Sequence, residues 1–260
     1  MADGPRPSLE VLVVVNDPGS GPGRFPAWLE GHGARLTTVA GDGIPDSPAG
    51  YDAVLLLGGG FMPDDDERAP WLPRERLLAR RALRDGVPVL GICLGAQLLA
   101  LVSGGTVVAD SGRPERGSVM IRRLPESAAD PVLGGLPDEF PAIQHHRDEI
   151  VTLPPGAVHL ASSERCPVQA FRLGEAAWGL QFHPEVAAER LDRWDATRLA
   201  AEGADLDELR ATAAAAEPAS SAAARALLDG FVAVVRARAA ARPAEARVSS
   251  GPASGPGWRR

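Results

Sequence analysis

The sequence of 260 residues contains no lysine, only two cysteines and few aromatic side chains. Without lysine it has no Walker A motif, so it lacks the phosphate-binding loop that would use ATP to activate an acceptor. Two cysteines, Cys93 and Cys166, are too few for a disulfide framework, and we expect both to be reduced and the chain to be cytoplasmic. No uninterrupted apolar run approaches the ~20 residues of a membrane-spanning helix, and the N-terminus has no signal-peptide core, so we expect no membrane association.

The chain has more acidic than basic residues. The formal net charge is −7 at pH 7, and all 27 basic residues are arginine. Nucleic acids and anionic membranes bind basic surfaces, so this charge argues against both as partners and favours small-molecule chemistry. The arginine bias, together with abundant alanine, glycine and proline, is typical of a GC-rich bacterial genome.

One stretch combines a strand, a turn and a helix around a cysteine. Apolar residues of strand composition occupy 87–92 and stop at Cys93, and good helix formers follow at 94–100. Gly91 and Gly95 flank the cysteine two positions away on either side, where the absence of a Cβ lets neighbouring backbone pass close by. The positive end of the following helix favours the thiolate over the thiol. The pattern predicts a nucleophile, although a single buried cysteine is more often a small core hydrophobe.

A histidine and a glutamate with complementary chemistry follow far along the chain. His183-Pro184-Glu185 comes directly after the strand-like run at 177–180. A cysteine nucleophile needs an imidazole to take and return protons, and the imidazole needs a third group that holds its tautomer. We therefore predict that His183 is the acid and base for Cys93 and that Glu185 orients His183.

Together, Gly91-Ile92-Cys93-Leu94-Gly95 and His183-Pro184-Glu185 resemble the class I glutamine amidotransferases, in which a G-x-C-x-G elbow pairs with a distant H-P-E. The resemblance covers about residues 8–190, and the two motifs are most similar to those of the glutaminase half of GMP synthase. It implies a flavodoxin-like α/β fold: a mostly parallel central sheet flanked by helices, with a small antiparallel portion and C-terminal helices. It also implies release of ammonia from glutamine through a cysteine thioester, with the acceptor or synthetase partner not encoded in this chain.

Backbone donors for the reaction are expected near the cysteine and in a glycine loop. Gly58-Gly59-Gly60 directly follows a buried strand, and it is either a flexible turn or a loop whose N–H groups approach the substrate. The resemblance implies that this loop gives one oxyanion donor, at Gly59, Gly60 or Phe61, and that Leu94 gives the other. It also implies that Gln97, one helical turn after Cys93, contacts the amino-acid end of the substrate.

Two adjacent histidines leave alternatives open. His145 and His146 point to opposite faces if the backbone is extended, so they cannot be assumed to chelate one ion. The resemblance implies that one of them faces the substrate pocket, and the alternative is that both are surface histidines. The acidic run at 64–67 is interpreted as a solvated loop before a helix. We predict neither a metal nor a cofactor.

The chain after Glu185 is rich in helix formers, with helices predicted at 186–201, 206–216 and 220–241. An apolar stripe in the last of them either pads the domain or forms a homo-oligomer interface: Leu227, Leu228, Phe231, Val232 and Val235. We predict an amidotransferase domain at 8–190, a helical extension at 191–242 and a disordered tail at 243–260.

Two other functions remain open at this point. The first is hydrolysis of γ-glutamyl amides or peptides, which uses the same kind of elbow and histidine. The second is a catalytically silent regulatory protein that keeps the fold for binding. The intact Cys93, His183 and Glu185 argue against the second function.

Overall fold

Runs of β-branched and aliphatic residues form a central sheet, as their composition predicts. The computed structural model describes residues 8–241, so the predicted disordered tail lies outside the described residues. Within residues 8–241 the chain forms eleven strands: β1 Leu9–Val14, β2 Ala34–Val39, β3 Ala53–Leu56, β4 Val89–Ile92, β5 Thr106–Val108, β6 Glu115–Arg123, β7 Glu139–His146, β8 Glu149–Thr152, β9 Val158–Ser162, β10 Ala170–Leu173 and β11 Ala177–Leu180.

Nine of these strands in the described part of the chain make one mixed sheet. The strand order from edge to edge is β2-β1-β3-β4-β11-β10-β9-β6-β7, and β5 pairs separately with β8. The first five strands in this order are parallel, and the remaining neighbours pair in antiparallel fashion. The expected fold class, an α/β domain with a parallel core and an antiparallel portion, is confirmed.

Helices pack on both faces of the parallel strands. The helices in residues 8–241 are α1 Phe25–Gly31, α2 Leu72–Asp85, α3 Leu94–Val102, α4 Ala196–Ala201 and α5 Leu206–Ala241. Val11 and Val13 of β1 lie in one core with α1 and α5, whereas Leu12 and Val14 lie in the other with α2 and α3. This division follows from the strand geometry, because successive side chains point to opposite faces.

The segment directly after Glu185 is less helical than the sequence predicts. In place of one helix at 186–201, the structure has a 3₁₀ segment at Ala188–Arg193 and then the short helix α4. The side chain of Asp195 caps α4 by accepting hydrogen bonds from two backbone N–H groups of its first turn. A capping aspartate favours a helix start, so it divides this segment into two pieces.

The last two predicted helices, at 206–216 and 220–241, are instead a single helix, α5, with Pro218 inside it. The Pro218 side chain is exposed, so the carbonyl that loses its hydrogen bond lies toward water, and alanine-rich flanks continue the helix past it. The predicted apolar stripe is buried in the core beneath the sheet, which fits padding of the domain. These five side chains are therefore not available as an oligomer interface.

α5 is long and apolar enough to cross a membrane by length and composition alone. However, 44% of its most apolar stretch is buried inside the fold, and its buried side chains pack with the strands and α1. One such helix that packs on a protein core is weak evidence for a membrane span.

Candidate active site

Four parallel strands end at the same edge of the sheet, and a residue with functional chemistry follows each of them. Asn16 follows β1, Gly58 follows β3, Cys93 follows β4 and His183 follows β11. Since β1, β3, β4 and β11 are neighbours in the sheet, their carboxyl ends meet. Open α/β sheets bind their ligands at this edge.

Cys93 lies in the turn between β4 and α3 in a strained backbone conformation. Its φ of 51° and ψ of −106° belong to a region that residues other than glycine rarely adopt. Its N–H donates to the Leu180 carbonyl at 2.7 Å. A Cβ on Gly95 would lie 2.1 Å from the Leu56 carbonyl oxygen, and one on Gly91 would lie 2.6 Å from the Gly95 carbonyl. Close backbone approach therefore requires both flanking glycines.

His183 and Glu185 form a buried pair next to the cysteine. The His183 backbone N–H donates to the Ile143 carbonyl at 2.9 Å, and its Nδ1 lies 2.8 Å from Glu185 Oε1. Burial by itself lowers the pKa of an imidazole, but the Glu185 carboxylate and the nearby Cys93 sulfur outweigh burial and raise the pKa of His183 to about 10. Nε2 is buried without a hydrogen-bond partner among residues 8–241, so it is free to exchange a proton.

Gly58 lies between the two candidate catalytic groups. A Cβ on Gly58 would stand 3.1 Å from His183 Cε1 and 3.5 Å from Cys93 Cβ. A Cβ on the next residue, Gly59, would stand 3.0 Å from Leu94 Cδ2. The beginning of the glycine loop therefore borders both the imidazole and the first residue of α3.

Gly60 and Phe61 lie farther along this loop. A Cβ on Gly60 would meet nothing within 4 Å, and its carbonyl accepts a hydrogen bond from Arg68 at 3.3 Å. The Phe61 ring packs edge-on against Trp71, with centroids 5.5 Å apart. An oxyanion donor at Gly59, Gly60 or Phe61 stays a prediction, and Gly58 is the loop residue whose contacts place it beside the thiol.

Gln97 is buried on the first turn of α3. Its side-chain nitrogen Nε2 donates to the Asp148 carbonyl at 3.3 Å and to Gln181 Oε1 at 3.2 Å. These bonds connect the helix after the cysteine to the segment before His183. The expected contact between Gln97 and a substrate stays a prediction.

His145 and His146 point to opposite faces of β7, as extended backbone requires. The His145 ring stacks on Trp194, with centroids 4.4 Å apart. The surrounding protein and the positive charges of Arg116 and His183 lower the pKa of His145 to about 4. His145 is therefore neutral at neutral pH, and it lies within the electrostatic reach of His183.

His146 belongs to a buried cluster that the sequence does not reveal, because its members are far apart along the chain. The ligand atoms of Glu115, His146 and Cys166 lie within 4.8 Å of one another, and this donor set is one that metals use. Burial and the nearby carboxylates raise the pKa of the Cys166 thiol, which keeps it a poor ligand. Both oxygens of Glu115 already accept hydrogen bonds, from Ser163, Gln169 and His146. We interpret the cluster as structural.

A side-chain clamp holds the backbone just beyond the histidine. The Arg24 N–H donates to the Glu185 carbonyl at 3.0 Å, and its guanidinium donates to the Val186 carbonyl. The same guanidinium pairs with Glu217 of α5 at 2.9 Å, and Glu217 also accepts the N–H of Ala188 at 2.9 Å. The helical extension is thus tied to the segment that carries Glu185.

Sequence reasoning named Gly58 only as part of the glycine loop and not as a site residue, and it missed Arg24 and Glu217. Gly58 had a usable signal, since it is the first loop residue after a buried strand of the sheet that also carries Cys93. Arg24 and Glu217 had none, because each resembles an ordinary surface residue and their pairing exists only in the folded chain.

Comparisons with a family model, with curated proteins and with solved structures agree with one another. Residues 34–193 match the family model described as glutamine amidotransferase class-I. The chain is 38% identical over 183 residues to a glutamine-hydrolysing GMP synthase subunit from Thermoplasma volcanium, a match that covers 70% of this chain and 86% of that protein. It is 41% identical over 133 residues, 51% of this chain, to a GMP synthase from Thermomicrobium roseum, of which it spans 23%.

Several further curated relatives are matched over about half of their length. The curated relatives come mostly from archaea, so they do not support the bacterial origin that the arginine bias indicates. Among solved structures, a glutamine amidotransferase from Thermotoga maritima superposes with a TM-score of 0.77 at 29% identity, covering 86% of this chain and 98% of that one. The chain therefore belongs to the class-I glutamine amidotransferase family.

Proposed function

We propose that this chain hydrolyses the side-chain amide of glutamine, with Cys93 as nucleophile, His183 as general acid and base, and Glu185 as the residue that orients His183. One observation supports this most directly: a thiol on a strained turn lies beside a buried imidazole, which a carboxylate contacts at 2.8 Å. A cysteine-dependent acyl transfer needs these three roles.

The first half of the proposed reaction forms a thioester. The Cys93 thiolate attacks the side-chain carbonyl carbon of glutamine, forming a C–S bond, and the carbonyl π electrons move onto oxygen. Protonated His183, which its raised pKa favours, gives its Nε2 proton to the amide nitrogen as the C–N bond breaks. Ammonia leaves, and a γ-glutamyl thioester remains on the sulfur.

The second half releases glutamate. Neutral His183 accepts a proton from a water molecule, and the water oxygen attacks the thioester carbonyl. The C–S bond then breaks, glutamate leaves, and the thiolate and imidazolium are regenerated. Throughout this cycle the Glu185 carboxylate accepts the Nδ1–H of His183, so that Nε2 faces the reacting atoms.

Backbone N–H groups would stabilise the oxyanion in both halves. We assign one donor to Leu94 and the other to the loop Gly58–Gly60, where Gly59 and Gly60 are the candidates from the sequence. Removing one such donor lowers the rate by about 10²–10³-fold in comparable sites. We further assign Gln97 and His145 to the part of the pocket that receives the amino-acid end of glutamine, because the His146 ring is engaged by Glu115 in the structural cluster.

We infer that the ammonia serves a separate synthetase protein. The support is that the relatives from Pyrococcus abyssi and Thermoplasma volcanium are each named as one subunit of a glutamine-hydrolysing GMP synthase. In this proposal residues 8–190 form the catalytic domain and the residues beyond them a helical extension. We place the enzyme in the cytoplasm, where thiols stay reduced.

Ammonia release from glutamine and from a panel of γ-glutamyl amines tests the proposal. We expect turnover of glutamine, its loss in Cys93→Ser and its retention in Cys166→Ser, because Cys166 is a buried thiol of the structural cluster. A higher kcat/KM for a γ-glutamyl amine than for glutamine would assign the chain to γ-glutamyl hydrolysis instead. No turnover of any of these amides, alone or with its synthetase partner, would favour a silent binding protein.

A further inference from the structure

An acidic residue is buried on the otherwise arginine-rich helix α2. Glu75 has no exposed surface, whereas a buried carboxylate normally pairs with a cation or a metal. Its Oε1 accepts one hydrogen bond, and its Oε2 is buried without a partner among the described residues. Such an arrangement is costly unless the carboxyl is neutral, so the position calls for an explanation.

The partner of Glu75 is Asn16, the residue that follows β1 at the carboxyl edge of the sheet. Asn16 Nδ2 donates to Glu75 Oε1 at 3.1 Å and to the Leu57 carbonyl at 3.1 Å. Its Oδ1 accepts a hydrogen bond from Trp71 Nε1 at 2.9 Å. The Asn16 amide thus connects α2 to the residue that directly precedes the glycine loop.

The glycine loop also packs directly on Asn16. A Cβ on Gly59 would stand 2.9 Å from Asn16 Cβ and 3.0 Å from Leu94 Cδ2. The loop is therefore held between Asn16 on one side and the first residue of the elbow helix on the other. A displacement of Asn16 would move the loop relative to Cys93.

We propose that Glu75 and Asn16 are positioning residues that hold the Gly58–Gly60 loop in place for the oxyanion. This inference rests on the proposed function of the loop. Neither side chain touches the reacting atoms, so each acts through the backbone that follows Leu57.

The charge state of Glu75 gives the proposal a pH dependence. Burial raises the pKa of Glu75 to about 8, more than the Asn16 hydrogen bond and the charge of Arg76 lower it. Arg76 is the charged group that acts on it, and it is engaged by Asp66 at 2.6 Å and by the Pro63 carbonyl. The residue after β1 that contacts Glu75 is Asn16, whose amide does not titrate.

Glu75 is therefore neutral at neutral pH and ionises above pH 8. Its folded-state pKa lies above its ordinary value of 4.5, so the folded protein loses stability as the pH rises from 4.5 to about 8. The ionised form would place a negative charge at Oε2 with no donor. We expect the loop to lose its position, and the enzyme part of its rate, as the pH rises through about 8, where this form appears.

Two variants separate the effect of Glu75 ionisation from the effect of its hydrogen bond with Asn16: Glu75→Gln and Glu75→Leu. Asp66→Asn is the control, because it removes the charge of the exposed partner of Arg76. Glutamine keeps the acceptor for Asn16 but does not ionise, so we expect a wild-type kcat at pH 7 and an alkaline limb moved to higher pH. Leucine removes the acceptor, and we expect about a tenfold lower kcat with little change in KM. We expect Asp66→Asn to follow the wild-type pH profile.

Thermal unfolding from pH 5 to 9 gives a readout that does not depend on activity. We expect the Tm of Glu75→Gln, relative to that of the wild type, to increase as the pH rises from 5. This difference should become constant near pH 8. A constant Tm difference, or an alkaline limb identical to that of the wild type, would overturn the role of Glu75 ionisation. A Glu75→Leu protein with wild-type kcat would overturn the positioning role, and should it not fold, Asn16→Ala decides this question in the same assay.

If the wild type shows no amidase activity, the proposed function fails while the Tm comparison still decides whether Glu75 is a buried neutral acid. If glutamine is hydrolysed but the variants behave like the wild type, only the inference about Glu75 and Asn16 fails. The two failures are therefore distinguishable.

Discussion

The segment that carries the thiol and the segment that carries the imidazole are held in place by different means. Around Cys93 the restraint is backbone against backbone, as where Gly95 meets the Leu56 carbonyl. Around His183 and Glu185 a close backbone contact, where Gly23 meets the Glu185 carbonyl, is supplemented by side chains, through the pair of Arg24 and Glu217. Packed backbone has no room to adjust, whereas the segment held by a partly buried ion pair can rearrange when one partner is replaced. We therefore expect substitutions of the elbow glycines to destabilise the protein, and substitutions of the side chains beside the imidazole to change its rate and pH dependence.

The largest effect is expected from Glu185→Gln, which keeps the size of the side chain but removes its charge. We expect kcat to fall by about 10²–10⁴-fold, because the tautomer of His183 is no longer fixed. Without the carboxylate, burial dominates and the pKa of His183 falls from about 10, so the alkaline limb of kcat moves to lower pH. A pH profile of kcat measures both changes.

The same substitution has a matching effect on stability. The folded-state pKa of His183 lies above its ordinary value of 6.5, so its contribution is fully present below pH 6.5 and is lost as the pH rises through about 10. We expect this pH dependence to be weaker in Glu185→Gln. An unchanged alkaline limb would show that Glu185 does not control His183.

Gly95→Ala tests the other side of the comparison. The new methyl group would lie 2.1 Å from the Leu56 carbonyl oxygen, and neither backbone segment can retreat without disturbing the sheet. We expect the free energy of unfolding to fall by about 3 kcal/mol, measured by denaturant titration. Gly60→Ala is the matched control, since a Cβ there meets nothing within 4 Å, and its stability should not change. Equal stabilities of the two variants would contradict a backbone-held elbow.

Glu217→Ala should have the smallest effect of the three. It removes the partner of Arg24 and the acceptor for the Ala188 N–H, so the segment after Glu185 gains freedom. We expect about a tenfold lower kcat, with KM nearly unchanged and a small shift in the alkaline limb. Arg238→Ala is the control on the same helix, because its pair with Glu175 lies near the C-terminal end of α5, away from this segment. An equal loss of kcat in both variants would indicate a general effect of α5.

Local patterns in the sequence were sufficient for the thiol side of the molecule. Gly91 and Gly95 around Cys93 predict the elbow, and the structure gives the close contacts that exclude a Cβ. The apolar runs predict the parallel strands, and the alternation of their buried residues between two cores follows from strand geometry. These features depend on neighbours in sequence, so one stretch contains the information.

The imidazole side could be predicted only in part. The motif at 183–185 predicts which side chains act at the site, but it does not predict which segments support them. Glu217 shows why: on an alanine-rich helix a glutamate is ordinarily solvated, and its role depends on Arg24, which is far away in the sequence. The continuity of α5 past Pro218 likewise depends on the exposure of that turn, which the sequence does not state.

The central claim is that the Cys93 thiol and the His183 imidazole act as one unit. The most direct test is the rate at which 6-diazo-5-oxonorleucine, a thiol-reactive glutamine analogue, labels Cys93, followed by mass spectrometry in the wild type and in His183→Ala. We predict one adduct per chain, located on Cys93, and labelling that is at least about 10²-fold slower without the imidazole. No adduct on Cys93, or labelling that is equally fast in both proteins, would contradict the account.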